Sequence, residues 1–166
     1  MPLTSLIQIF PFAPGDGQRV KGLGQALATI LNSDSALGLA LGHRTPLSVG
    51  SAREFLEQTA DWCKKHDATS FAITINGGNA VGQLSVSRLN APDRLGRVGY
   101  WLGSEHWGRG IMTAAFGQAL IFAKSLGLES VSGHVPTDNL ASIRLWVRHG
   151  AKSECTPRGH EFTILL

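Results

Sequence analysis

Cysteine is scarce: Cys63 and Cys155 are the only two in 166 residues. They lie far apart and form no Cys-x-x-Cys pair, so no disulfide framework is available and a reducing, cytoplasmic setting is expected. Aromatic residues make up 7% of the chain, with a single tyrosine, and charged residues 16%. Low charge without biased tracts argues against a disordered chain. Fifteen Lys+Arg against twelve Asp+Glu give a formal net charge of +3, too small and too scattered for direct nucleic-acid binding. Long apolar runs are also missing. The most apolar stretch, Ile111 to Leu128, is broken by Thr113, Gln118, Lys124 and Ser125, which reads as a buried helix and not a membrane span. Met1 to Phe12 lacks a basic n-region and carries Pro2 and Pro11, so no signal peptide is expected. The six histidines show no ligand spacing with one another or with cysteine, and no metal is expected.

What remains is a chain that is 43% hydrophobic and long enough to bury roughly 70% of its unfolded surface. Its pattern predicts a strand at Leu6 to Phe10, ended by Pro11, then a helix at Gln18 to Leu31 after the cap candidate Asp16. Leu37 to Val49 reads as a loop with a weak helical turn. Ser51 to His66 is a better helix, with Ser51 and Glu54 at capping-box spacing and Phe55, Ala60 and Trp62 on its buried side. Thr69 to Ile75 and Ala80 to Leu89 alternate around Asn76-Gly77-Gly78-Asn79 as an antiparallel hairpin. Further strands follow at Arg97 to Leu102 and Ser130 to Val135. Helices are expected at Trp107 to Leu126, stopped by Gly127, and at Asp138 to His149, stopped by Gly150. A last hairpin turns at Pro157-Arg158-Gly159. Residues 1–166 are thus expected to form one α+β domain with a largely antiparallel sheet, one strand pair being bridged by the long helix.

The most informative segment runs from Gly99 to Thr113, where a strand ends and a glycine turn opens a helix. Free N–H groups at a helix start, with side-chain-free Gly108 and Gly110, let an anionic phosphate approach closely. The helix dipole and Arg109 add positive potential there. From the local pattern alone, a tight strand-to-helix turn explains these glycines equally well. Other phosphate motifs are excluded: there is no Gly-Lys-Ser/Thr of a P-loop, and Gly22-Leu23-Gly24 lacks a third glycine and a preceding strand. No Gly-x-Ser-x-Gly elbow occurs either.

Val98 to Thr113, followed by Val135-Pro136-Thr137-Asp138-Asn139-Leu140-Ala141-Ser142 and then His149-Gly150, resembles the GNAT acetyltransferase superfamily. More narrowly, it is similar to the branch of ribosomal-protein alanine and serine N-acetyltransferases, and the likeness covers nearly the whole chain. The resemblance implies a twisted, mixed but mostly antiparallel sheet of about seven strands flanked by about four helices. It implies acetyl-CoA as co-substrate, with the pyrophosphate held by the turn at Trp107, Gly108, Arg109, Gly110, Ile111, Met112 and Thr113. Main-chain groups around Trp101 and Leu102 would pair with the pantetheine arm. Two departures stand out: Trp107 replaces the usual Gln/Arg at the turn, and Arg97 stands where many relatives carry a glutamate on the fourth strand.

The resemblance also implies that Asn139 and Ser142 point at the cofactor, with Ser142 near the sulfur. They are three apart and share a helix face. A serine hydroxyl there could donate to a departing thiolate whose pKa is about 8.5 if it resembles cysteine. Read from the residues alone, Asn139 is as well explained by helix capping, since Thr137-Asp138-Asn139 is an N-cap cluster. For a base, His134, Glu105 and His106 are at hand, although a lone strand histidine is more often structural. An α-amino group with a pKa near 8 is also partly neutral without help. A backbone N–H near Leu102 could stabilise the developing oxyanion, and Tyr100 could line the acceptor side or the core.

The reading is an N-acetyltransferase that moves an acetyl group directly to a primary amine in a ternary complex. No covalent enzyme intermediate is expected, because no activated nucleophile is apparent. The alternative is a non-catalytic acyl-CoA sensor of the same fold, motivated by Arg97. Partners expected are an amine-bearing acceptor, with no membrane and with room for a homodimer. The loops Leu37 to Val49 and Asn90 to Gly96 are expected to frame the acceptor entrance, and neither carries a dense acidic run.

Overall fold

Local capping sets the helix boundaries in a computed structural model that describes residues 5–12, 17–43 and 48–166. The expected cap Asp16 lies outside the described residues. Among the described residues there are five α-helices, Gly17–Ser33 (α1), Ser35–Ala40 (α2), Ala52–His66 (α3), Ile111–Ser125 (α4) and Leu140–Arg148 (α5). The capping box forms as read: Ser51 Oγ accepts from Glu54 N at 3.2 Å while Glu54 Oε2 accepts from Ser51 N at 2.7 Å. α2 was expected only as a weak turn. Asp34 makes it a helix by accepting from Leu37 N at 3.0 Å, which satisfies one of the first-turn donors.

α4 begins four residues later than its hydrophobic pattern suggests. Gly108 and Gly110 adopt φ of +70° and +74°, a left-handed backbone that no helix can continue, so Trp107 to Gly110 form the turn. α5 likewise starts two residues into its predicted span, because Asn139 is its cap and accepts from Ser142 N at 3.1 Å.

The strands are Ile7–Pro11 (β1), Thr69–Ile75 (β2), Ala80–Ser87 (β3), Leu95–Leu102 (β4), Ser130–Val135 (β5), Lys152–Thr156 (β6) and Gly159–Leu165 (β7). They form one sheet in the order β1-β2-β3-β4-β5-β7-β6. All pairs are antiparallel except β4–β5, the pair bridged by α4. That parallel pairing covers only Leu95 to Arg97 against Ser130 to Ser132. Beyond it the two strands part, leaving Val98 to Leu102 and Gly133 to Val135 without each other.

Two apolar layers sandwich the sheet. On one face α4 and α5 pack Phe116 and Trp146 onto Leu84, Val131 and Phe162. On the other, α1 and α3 bring Leu27 and Phe55 against Phe12, Ala72 and Ala80. β2 lies under both layers, which is why five consecutive residues, Ser70 to Thr74, are buried even though the sequence alternates. α3 buries Phe55 and Leu56, whereas Trp62, expected on the buried side, is 40% exposed and stacks on His66 at 4.6 Å. At the sheet's first edge, Gln118 of α4 reaches β1: its Oε1 accepts from Ile9 N at 3.2 Å and its Nε2 donates to Ile7 O at 2.8 Å. Among the described residues, no helix is long and apolar enough to cross a membrane.

Candidate active site

Where β4 leaves β5, a cavity of about 560 Å³ opens at the C-terminal end of β4. Its floor is Tyr100, Trp101 and Leu102, one wall is the whole turn from Trp107 to Thr113, and another is α5 through Asn139 and Ser142. The apolar side chains of Leu37, Ala40 and Leu41, from α2 and its end, also line it. Of the two loops expected to frame the acceptor entrance, Leu37 to Val49 lends residues to the lining of this cavity and Asn90 to Gly96, at the other end of β4, does not.

The turn is built to receive an anion. A Cβ added at Gly108 or Gly110 would meet nothing within 4 Å, so the glycines are required by backbone conformation and leave the approach open. Among the described residues, no internal hydrogen bond is made by the amides of residues 108–113, while Ala114 N already donates to Gly110 O at 3.2 Å. Six unpartnered N–H groups at a helix start, beside the Arg109 guanidinium, form a positive cradle. The residues present thus fit a pyrophosphate.

Neighbouring side chains hold the turn in place. The indole of Trp107 donates to Leu102 O at 2.7 Å, tying the turn to the strand end. Asp34 accepts from Ser104 N at 2.7 Å and from Ser104 Oγ at 2.8 Å, so the α1–α2 corner is fastened to the residues just before the turn. Burial alone would raise the Asp34 carboxyl pKa, but the hydrogen bonds from Ser104, Leu37 and Ala36 outweigh it and hold the group below its ordinary value. Arg109 Nη1 lies 3.4 Å from His106 Nδ1, and His106 Nε2 lies 3.2 Å from Glu105 Oε1. A guanidinium only donates, so His106 accepts through Nδ1 and turns its Nε2–H to Glu105.

Of the expected base candidates, His106 lines the cavity but Glu105 and His134 do not. Glu105 is 80% exposed at the rim. His134 follows Gly133, whose added Cβ would meet Trp146 of α5 at 2.4 Å, so His134 points to the opposite sheet face. There it meets a group that no sequence motif singles out. Arg97 Nη1 bonds Glu161 Oε1 at 3.2 Å, and His134 Nδ1 lies 3.7 Å from Glu161 Oε2. Glu161 lies on β7, directly across from His134 in register, and none of Arg97, His134 and Glu161 lines the cavity. Only the β5–β7 register could have revealed it. Arg144 and Arg148 also reach the cavity unforeseen, although the spacing Ser142-Leu145-Arg148 marks that helix face.

A parallel strand pair that splays, with a glycine turn and a helix start at the mouth of the gap, defines a class of α+β folds that receive an anionic ligand at the turn. The chain belongs to the acetyltransferase (GNAT) domain family, whose model matches residues 25–152. It is 27% identical over 104 residues to an uncharacterized N-acetyltransferase p20 of Bacillus licheniformis, a match covering 61% of this chain and 58% of that protein. A structure of a putative ribosomal-protein-serine acetyltransferase from Vibrio cholerae superposes with a TM-score of 0.72 at 17% identity, covering 99% of this chain and 96% of that one. The spermidine N-acetyltransferase of Vibrio cholerae, in complex with CoA and spermine, superposes at 0.68 with 16% identity, covering 96% and 95%. At such identities these structures establish the fold.

Proposed function

We propose that the chain is an acetyl-CoA-dependent N-acetyltransferase that transfers the acetyl group directly to a primary amine in a ternary complex. The observation that carries this reading is the row of six unpartnered amides at residues 108–113 facing a cavity that Asn139 and Ser142 also line. Acetyl-CoA supplies the thioester, an acyl group activated toward amines.

The residues of the chain do the rest. The turn amides and Arg109 bind the pyrophosphate, and the parted edge of β4 at Trp101 and Leu102 offers main-chain groups to the pantetheine arm. Ser142 directs its hydroxyl at the sulfur as the C–S bond breaks and the electron pair departs with it. The proton that the amine loses as the new N–C bond forms passes to solvent water, because Glu161, paired with Arg97 and near His134 on the far face of the sheet, does not line the cavity. A protein N-terminal or small-molecule amine with a pKa near 8 reaches this site partly neutral at neutral pH. Glu105 acts at the rim through His106, which it orients next to Arg109.

Calorimetric titration with acetyl-CoA, with 3′-dephospho-CoA and ATP as controls, tests the site, and a screen of amine classes tests the transfer. Micromolar binding far tighter than ATP, followed by acetylation of an amine, is expected. A folded protein that ignores acetyl-CoA would overturn the reading; tight binding with no transfer to any amine would leave the sensor.

A further inference from the structure

One carboxylate joins two parts of the cavity wall that lie seventy residues apart in the chain. Asp34 sits between α1 and α2, and both of its oxygens are engaged. Oδ1 accepts from Leu37 N at 3.0 Å, as the cap of α2, and from Ser104 Oγ at 2.8 Å. Oδ2 accepts from Ser104 N at 2.7 Å. Burial works against the charged form, yet hydrogen bonding outweighs it and holds the carboxyl below its ordinary pKa. At neutral pH the group is therefore a carboxylate that only accepts, and bonds to an ionised acceptor are among the strong ones. On one side of it, Leu37, Ala40 and Leu41 give the cavity its apolar wall. On the other, Ser104 to His106 form a 3-10 turn that leads into the glycine turn.

The two sides are not equally anchored. The stretch before the glycine turn has further ties: Gly103 N donates to Val81 O at 2.9 Å, and the Trp107 indole donates to Leu102 O at 2.7 Å. α2 has six residues, of which Leu37 and Gly38 are buried, and a helix so short does not hold itself in water. Losing the bonds between Asp34 and Ser104 would thus leave the glycine turn standing and free α2 to shift. We propose that Asp34 is a positioning residue for the acceptor: by tying α2 to the segment before the glycine turn, it presets the apolar wall at a fixed distance from the bound cofactor.

This rests on the transferase reading above, in which the turn and the parted edge of β4 take the cofactor and the α2 wall is left to the acceptor. The wall offers only apolar side chains, so it meets the apolar part of the acceptor and leaves the amine free to attack. A wall in place only part of the time lowers the apparent affinity for the acceptor by that fraction. Capping and tying can be separated by substitution. Asp34→Ser keeps an oxygen suited to cap α2, but a single hydroxyl on a shorter side chain cannot also receive both donors of Ser104. Ser104→Ala removes the hydroxyl bond of the tie and leaves the main-chain one.

The test is steady-state kinetics with acetyl-CoA and the best amine found, joined to acetyl-CoA calorimetry and thermal melts on the same proteins. Asp34→Ser is expected to raise KM for the amine about 10-fold, the effect of a lost charge-assisted hydrogen bond, while kcat and the Kd for acetyl-CoA change by less than about 2-fold. Ser104→Ala should raise the amine KM by about 3-fold, with the same selectivity. An amine KM that stays put in a folded Asp34→Ser protein overturns the proposal, because the tie is then structural alone. An acetyl-CoA Kd that weakens as much as the amine KM overturns it too, since Asp34 would then serve the cofactor turn. If Asp34→Ser does not fold, Ser104→Ala decides by the same two criteria. A wild-type protein that binds no acetyl-CoA, or acetylates no amine, fails at the transferase reading itself and takes this proposal with it.

Discussion

Gly110→Val separates the cofactor cradle from a mere tight turn. Gly110 holds φ of +74°, and a Cβ there would touch nothing within 4 Å. The protein itself therefore has room for the side chain, and the folding cost comes from backbone strain alone. A β-branched residue in the left-handed region costs about 2 kcal/mol. For a chain of this size that lowers Tm by about 4–8 °C, leaving a folded protein at room temperature. Cofactor affinity should suffer more. The isopropyl group would stand in front of amides that approach the pyrophosphate closely, and each charge-assisted hydrogen bond lost is worth about 1.5–3 kcal/mol, or roughly 10- to 100-fold in Kd. Gly22→Ala is the control: Gly22 is an exposed helical glycine on α1 with nothing within 4 Å of an added Cβ. It should raise stability by up to about 1 kcal/mol and leave binding alone. Thermal melts and acetyl-CoA calorimetry on the three proteins give the answer. A Gly110→Val protein that melts lower yet binds acetyl-CoA normally would mean that the cradle is no phosphate site.

Glu161→Gln, which removes a carboxylate paired with Arg97 outside the cavity, should leave kcat/KM for the amine nearly unchanged at neutral pH; a loss of about 100-fold that narrows as pH rises past the amine's own pKa near 8 would make Glu161 the general base after all. Gly133→Ala would drive a Cβ to 2.4 Å from the buried Trp146 ring, and overpacking of this kind costs about 1–3 kcal/mol in a denaturant melt. Asp34, whose carboxyl is held below its ordinary pKa, contributes stability that is complete above about pH 4, the unfolded value, and is lost as pH falls through the lower folded value. Asp34→Ala should lower stability by about 1–2 kcal/mol at pH 7 and flatten that acid limb, as melts between pH 2 and 7 would show.

Local signals made most of the fold legible. Ser51 and Glu54 announced α3, the alternation around Asn76-Gly77-Gly78-Asn79 announced the β2–β3 hairpin, and the glycines at 108 and 110 marked the turn. What failed did so for identifiable reasons. Apolar periodicity ran on through Trp107, but positive φ at two glycines overrode it and delayed α4. Trp62 reads as core by residue type, yet α3 turns that face outward and spends it on His66. α2 depends on a single cap, Asp34, that also bonds Ser104 seventy residues away, and no local pattern reports such a bond. The same division holds around the site. Its turn and its α5 residues lie in contiguous motifs, whereas Glu161, outside the cavity, reaches Arg97 and His134 only through the order of β4, β5 and β7. A histidine and a carboxylate 27 positions apart in the chain become neighbours by register alone.

Gln118 has a consequence for the molecule's dealings with its own copies. β1 ends the sheet, and the main-chain groups of Ile7 and Ile9 that do not face β2 would otherwise form a template for a strand from another chain. The Gln118 amide occupies one donor and one acceptor of that template from within. An incoming strand must first displace a side chain anchored in the middle of α4, the helix that begins at the glycine turn. Guarding the sheet edge and opening the candidate anion cradle are thus assigned to one helix, the first to its middle and the second to its N-terminus.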